Sequence, residues 1–346
     1  MTAGEVGSDA WLDQVFDAAV KDELFDGHDP DQASPVLVLL GGLPAAGKTR
    51  AQRAILNEHA ADDLVEITGD DLREFHPDYA RLAEQAPFEM PAATAPVSGG
   101  LVARALDHAY RQRYSVLLEG TFRDPRMVTA TATRFADAGY RVEVVAVATP
   151  APVSRLSAEM RSLDIGYPAV GRWTPPGAHE TALERSPEVV AALERLSQIA
   201  RVQVFSRERL LYANTRTDSG EWEQPATAAR VFRAEQHRRL DDREAAQWLA
   251  DYAEVFRKAT ERPGYLGAET APTYLRLQDD AQRMTQARMF TPGAPVGVWQ
   301  REQTDRRTLL VRVLPAEVFP KRSTPEHDSL HRDPPSSGRQ PPGIGR

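Results

Sequence analysis

The chain has 346 residues, 41% of them hydrophobic, with 42 Lys and Arg against 50 Asp and Glu for a formal net charge of −8, and it contains no cysteine. That charge excludes a sequence-independent nucleic-acid binder, which needs a basic footprint, while leaving room for a local basic cleft. The missing cysteine excludes disulfides, thiolate catalysis and Cys-ligated metals.

Met1–Asp9 are acidic and polar, without the basic and apolar regions of a secretory leader. No apolar run approaches the roughly 20 residues that span a bilayer. A cytoplasmic protein without membrane or nucleic-acid partners is therefore expected. Trp11, Leu12, Val15, Phe16, Ala19 and Val20 recur at helical spacing and predict an amphipathic opening helix. A polar linker over Asp26–Pro35 completes an N-terminal segment, 1–35.

Val36–Leu40 is a continuous apolar run, suited to a strand buried on both faces of a parallel sheet. Further strands are predicted at Leu64–Thr68, Val116–Glu119, Val142–Ala148 and Val202–Phe205. Helical patterns alternate with them at Thr49–Ala60, Gly100–Arg113, Pro125–Ala138, Pro152–Leu163 and Pro187–Ala200. This alternation predicts an α/β fold, a P-loop NTPase-type parallel sheet flanked by helices, over 36–215. Leu210–Thr215 and the segment after Asp218-Ser219-Gly220 suggest a small hairpin. A mainly helical C-terminal extension, 216–320, follows: Ala226–Lys258 broken near Leu240-Asp241, then Ala271–Met289, with a late strand at Thr308–Val313. Residues 321–346, rich in Pro, Ser, Arg and Gly, predict a disordered tail.

Gly42-Leu43-Pro44-Ala45-Ala46-Gly47-Lys48-Thr49 fits G-x-x-x-x-G-K-[ST] at every fixed position. The glycines allow consecutive N–H groups to turn toward an anion, and the helix that follows adds its positive end. Lys48 neutralises β- and γ-phosphate charge and the Thr49 hydroxyl ligates Mg²⁺, so ATP with Mg²⁺ is the expected ligand. A strand entering the loop and a helix leaving it separate this motif from a chance match.

Phosphoryl transfer to a hydroxyl also needs a carboxylate and cations, drawn from loops at the carboxyl ends of the strands. Asp70 and Asp71 follow the second strand, as catalytic base or as helix caps. Glu119 ends the third strand, ahead of Thr121 and Arg123. It suits a magnesium shell, an acceptor contact or a salt bridge to Arg123. Arg155, Arg161 and Arg172 flank the loop Asp164–Gly171, as a phosphate-clamping lid or as solvated surface. His76 and His179 stand alone and have structural roles as their simplest reading.

Together these residues resemble the zeta toxins, whose founding members phosphorylate UDP-N-acetylglucosamine. The resemblance covers Val36 to Phe205 and, more weakly, Leu210–Thr215. It rests on GLPAAGKT at 42–49, GDDLREFHPDY at 69–79, LLEGTFR at 117–123, EMRS at 159–162 and GRWTPPGAHE at 171–180. It implies Asp70 as catalytic base, Glu119 and Thr121 at a sugar-nucleotide pocket, and Arg161 and Arg172 beside the transferred phosphate. The implied acceptor is the amino-sugar 3′-hydroxyl of UDP-N-acetylglucosamine, and the implied partner is a small helical antitoxin that blocks the nucleotide site. In two respects the sequence departs from those toxins. Ala103 stands where they carry a glutamate toward the sugar nucleotide, and the segment between the two arginines is about two residues shorter. A P-loop kinase of another small hydroxyl acceptor, a nucleoside or an antibiotic, is the alternative. A non-catalytic ATP-switched binding protein is a further one.

Overall fold

The computed structural model describes residues 5–165, 172–286 and 293–319. The tail 321–346 and most of the loop Asp164–Gly171 lie outside them. In chain order, α1 (Asp9–Val15), a π-helical stretch (Phe16–Val20) and α2 (Lys21–Phe25) run on from one another. Next come β1 (Val36–Gly42), α3 (Lys48–Glu58), β2 (Val65–Thr68) and a 3₁₀ turn (Asp71–Phe75). They are followed by α4 (Tyr79–Gln85), α5 (Met90–Gln112), β3 (Val116–Gly120), α6 (Pro125–Asp137) and β4 (Arg141–Val147). Then come α7 (Ala151–Ser162), α8 (Pro176–Arg195), β5 (Ile199–Phe205) and β6 (Leu210–Thr215). The extension holds α9 (Ala228–Gln236), α10 (Asp242–Glu261), α11 (Ala271–Met284) and α12 (Val296–Val313).

The fold is α/β, with a six-stranded sheet in the order β2-β3-β1-β4-β5-β6. All pairs are parallel except β5 with β6. Every residue of the central strand β1 is buried. Its side chains alternate between two cores, Leu37 and Leu39 on the face covered by α5 and α6, Val36, Val38 and Leu40 on the face covered by α3. A strand apolar at every position is what two covered faces require. A third cluster joins Leu156 and Leu163 at α7 to Trp248, Tyr252, Tyr274 and Leu277 of α10 and α11. Among the described residues no helix is long and apolar enough to cross a membrane.

Four expectations change. Thr308–Val313 is not a strand but the last third of α12, and its Leu310 is buried in the third cluster. Leu210–Thr215 pairs antiparallel with β5, and the segment after the turn adds only an Arg216–Trp222 bridge. Helix α8 starts at Pro176 and carries Pro187 in its interior, and Ile199 and Ala200 belong to β5. Helix α5 starts ten residues before Gly100, at Met90. The break near Leu240-Asp241 is a helix boundary: Asp241 and Glu244 form a reciprocal capping box at the start of α10. α11 also ends earlier than expected, at Met284: Thr285 and Gln286 are not helical, and the rest of the expected continuation to Met289 lies outside the described residues.

Candidate functional site

β1 delivers the phosphate loop to the carboxyl edge of the sheet. β1 and β3 are neighbours, while the helices that follow them, α3 and α6, cover opposite faces. Such a divergence opens a crevice at the strand ends, where ligands of open α/β sheets bind. Gly42 ends β1 so close to β4 that a Cβ there would sit 2.6 Å from the Val147 carbonyl oxygen. Gly47 has φ of +87° and forms the N-cap of α3, a left-handed conformation that favours glycine. The loop is buttressed from behind by the Thr149 hydroxyl, which donates to the Ala46 carbonyl at 2.8 Å. Gly42→Ala should therefore destabilise the fold by about 1–3 kcal/mol, since backbone rather than a flexible side chain must yield. Urea unfolding checks this, and an unchanged midpoint would count against the tight β1–β4 approach.

Lys48 and Thr49 open α3. Lys48 Nζ lies 3.5 Å from Glu119 Oε1 and 3.4 Å from the Leu43 carbonyl oxygen. In the parallel register Glu119 stands beside Leu40 on one side and Thr68 on the other. Its ion pair is thus with Lys48, not with Arg123, which is exposed on the loop beyond. Thr121 lies on the same loop and accepts from the Ser186 hydroxyl at 3.3 Å through its carbonyl.

Asp70 follows β2 after one residue, Gly69. It precedes the 3₁₀ turn without making a capping hydrogen bond, so capping does not explain it. Arg73 Nε lies 3.2 Å and Arg172 Nη1 3.6 Å from its carboxylate. Burial works to raise its pKa, but the charges of Arg172, Arg161 and Arg73 outweigh this and hold it below the usual Asp value. The side chain remains 46% exposed, so an incoming hydroxyl can reach it. Arg73 is itself fixed by the Pro91 carbonyl at 2.9 Å and the Thr94 hydroxyl at 2.7 Å, at the start of α5. Asp71 is more exposed and touches Arg172 at 3.4 Å.

Of the three arginines expected around the lid, two reach the site. Arg172 spans Asp70, Asp71 and Glu74. Arg161, in the last turn of α7, donates to the Thr174 hydroxyl at 3.1 Å, and its buried Nε has no hydrogen-bond partner among the described residues. A buried donor left open in this way suits an anion. Arg155 does not belong to the lid. It is buried and ion-paired with Glu180 at 3.1 Å and with Asp280, tying α7 to α8 and α11. His179 is likewise structural, buried between the Ser154 hydroxyl at 2.8 Å and Glu180. His76 accepts from the Asp78 backbone N–H at 3.1 Å.

Sequence reasoning missed Arg207. Its guanidinium donates to the Ala45 carbonyl and to the Ser157 hydroxyl, and its stem packs over Gly47. The available signal was position, because Arg207 follows β5 at the same carboxyl edge. Beside it opens a cavity of about 850 Å³, lined by Ser157, Arg207, Glu208, Gln247, Trp248 and Asp251.

The zeta toxin family model matches residues 21–217. Toxin PezT of Streptococcus pneumoniae is 31% identical over 177 residues, spanning 51% of this chain and 70% of the relative. Toxin zeta of Streptococcus pyogenes is 27% identical over 215 residues, 60% of this chain and 74% of the relative. A solved structure from the PezAT chromosomal toxin–antitoxin system of Streptococcus pneumoniae superposes with a TM-score of 0.59 at 23% identity, covering 74% of this chain and 98% of the other. A phosphate loop, a carboxylate ringed by arginines and this family match belong together: the chain is a member of the zeta toxin family.

Proposed function

We propose that this protein is an ATP-dependent phosphotransferase that moves the γ-phosphoryl group to a hydroxyl of a small acceptor, the 3′-hydroxyl of UDP-N-acetylglucosamine. The supporting observation is the convergence of Lys48, Glu119, Asp70 and the two arginines at the carboxyl ends of β1, β2 and β3. The loop N–H groups and Lys48 hold the β- and γ-phosphates, and the base and ribose of ATP extend toward Arg207 and the cavity beside it. Asp70 orients the acceptor hydroxyl and takes its proton as the oxygen attacks the γ-phosphorus in line. The bond to the β-phosphate oxygen breaks, and ADP leaves. Arg161 and Arg172 stabilise charge on the transferring group. Glu119, Thr121 and Arg123 position the acceptor.

The residues fit a magnesium ion of the phosphate-borne kind. Thr49 offers a hydroxyl in the first turn of α3, and among the described residues no group of three or more His, Asp and Glu could hold an ion alone. Phosphate oxygens and water would complete its shell, and the ion would neutralise charge between the β- and γ-phosphates. A small antitoxin is the partner this reading implies; the similar PezAT structure comes from a toxin–antitoxin system. The cytoplasm, where ATP is, is the implied location.

The test is to incubate the protein with Mg²⁺-ATP and UDP-N-acetylglucosamine and follow products by phosphorus NMR, beside Lys48→Ala. A new phosphomonoester on the sugar is expected, absent with the variant. ADP without that signal would move the acceptor to the nucleosides and aminoglycosides, screened in the same way. ATP binding without turnover on any acceptor would sink the phosphotransferase reading and leave an ATP-switched binding protein.

A further inference from the structure

We infer that Tyr265, in the C-terminal extension between α10 and α11, is the positioning residue for both site arginines. Its hydroxyl bonds Glu159 at 2.9 Å and Ser162 at 2.8 Å, the two buried polar residues that flank Arg161 in the last turn of α7. Its ring meets Phe88 at 5.6 Å between centroids, and Phe88 meets Trp173 edge-on at 5.0 Å. Trp173 is buried and lies between Arg172 and Thr174, the hydroxyl that receives Arg161. One tyrosine thus grips the turn that carries Arg161 and, through one ring, the strand of chain that carries Arg172.

A tyrosine that merely filled the core would need one partner for its hydroxyl. Tyr265 has two, both on that turn, and it is itself fixed by the Thr270 hydroxyl, which donates to its carbonyl at 2.6 Å. Burial pushes the Glu159 carboxyl up to about 7, and the Tyr265 hydroxyl works against that shift. Tyr265 lies beyond residues 21–217, so this support comes from the part of the chain that the family model does not describe. The extension gains a role from it: it holds in place the two arginines that meet the phosphate. Pre-set donors of this kind stabilise transferring charge because they need not reorganise.

The inference rests on the reading of Arg161 and Arg172 as phosphate contacts, so the experiment is chosen to separate the two and to need no acceptor. Dissociation constants for ADP and for a non-hydrolysable ATP analogue, AMPPNP, are measured with Mg²⁺; their ratio reports contacts to the γ-phosphate. Arg161→Ala and Arg172→Ala should each lower the preference for AMPPNP. Tyr265→Phe, which keeps the ring, should lower it by about 3–10-fold with ADP affinity unchanged, and should add nothing in the Arg161→Ala background, as coupled residues require. Phe88→Leu leaves the hydroxyl bonds in place and should act only while Arg172 is present. It keeps the test open should Tyr265→Phe not fold. If the arginine variants retain the preference, the phosphate role fails and the inference falls with it. If they lose it while Tyr265→Phe and Phe88→Leu do not, or if the losses simply add, the inference alone is overturned.

Discussion

Asp70→Asn will lower turnover by about 10²–10⁴-fold at neutral pH, the range expected when a positioned acid–base group is lost. ADP binding should stay within about twofold, because Asp70 lies just beyond β2 while the proposed nucleotide contacts come from β1 and α3. Asp71→Asn should cost far less: its side chain is 72% exposed and, among the described residues, its ion pair is with Arg172. The pH profile sharpens the expectation. A carboxyl held below the usual Asp value stays ionised to lower pH, so the acid limb due to Asp70 should fall below the ordinary 3.8 and the rate should be level across neutral pH. Removing Arg172 or Arg73 takes away lowering charges and should move that limb upward. Turnover kept in Asp70→Asn and lost in Asp71→Asn would assign the base to the wrong residue.

Arg161→Ala and Arg172→Ala should each reduce kcat by about a thousandfold, the effect of removing a guanidinium from a phosphoryl transition state. Lysine should rescue neither, since a point charge cannot replace the planar fork that serves Thr174 or the carboxylates and the phosphate together. The double variant should be much less impaired than the product of the single losses, because residues that clamp one group act as a unit. Stopped-flow turnover at saturating ATP and acceptor measures this. A loss confined to KM would recast both as ground-state binding groups.

What the sequence shows clearly is what its local chemistry dictates. G-x-x-x-x-G-K-T fixes the phosphate loop because few other patterns satisfy its backbone, and Val36–Leu40 betrays a two-sided strand by having no polar position. Thr308–Val313 is the opposite case. Its β-branched residues favour a strand, yet Leu310 and Leu314 bury on one side and draw the segment into a helix, so packing overrides propensity. Pro187 reads as a helix start because proline usually is one, whereas here it lies buried in the middle of α8. The arginines show the limit for sites. Arg155 and Arg161 are six positions apart on α7, which at 3.6 residues per turn places them about 120° apart around the axis. One therefore enters the core and the other the crevice, and composition cannot tell which. Arg207 was missed because a single basic residue in a loop carries no periodicity. Family resemblance separated Arg161 from Arg155 where the residues alone did not.

The ring of charge around Asp70 has a consequence for timing. Arg172 is engaged, at 3.6 Å, with the carboxylate proposed as base. Phosphate oxygens compete for the same guanidinium. As they share it, the field that depresses the proton affinity of Asp70 weakens, and its basicity climbs. On the proposed reading the site works as an interlock: the base gains strength as the group to be transferred takes its place.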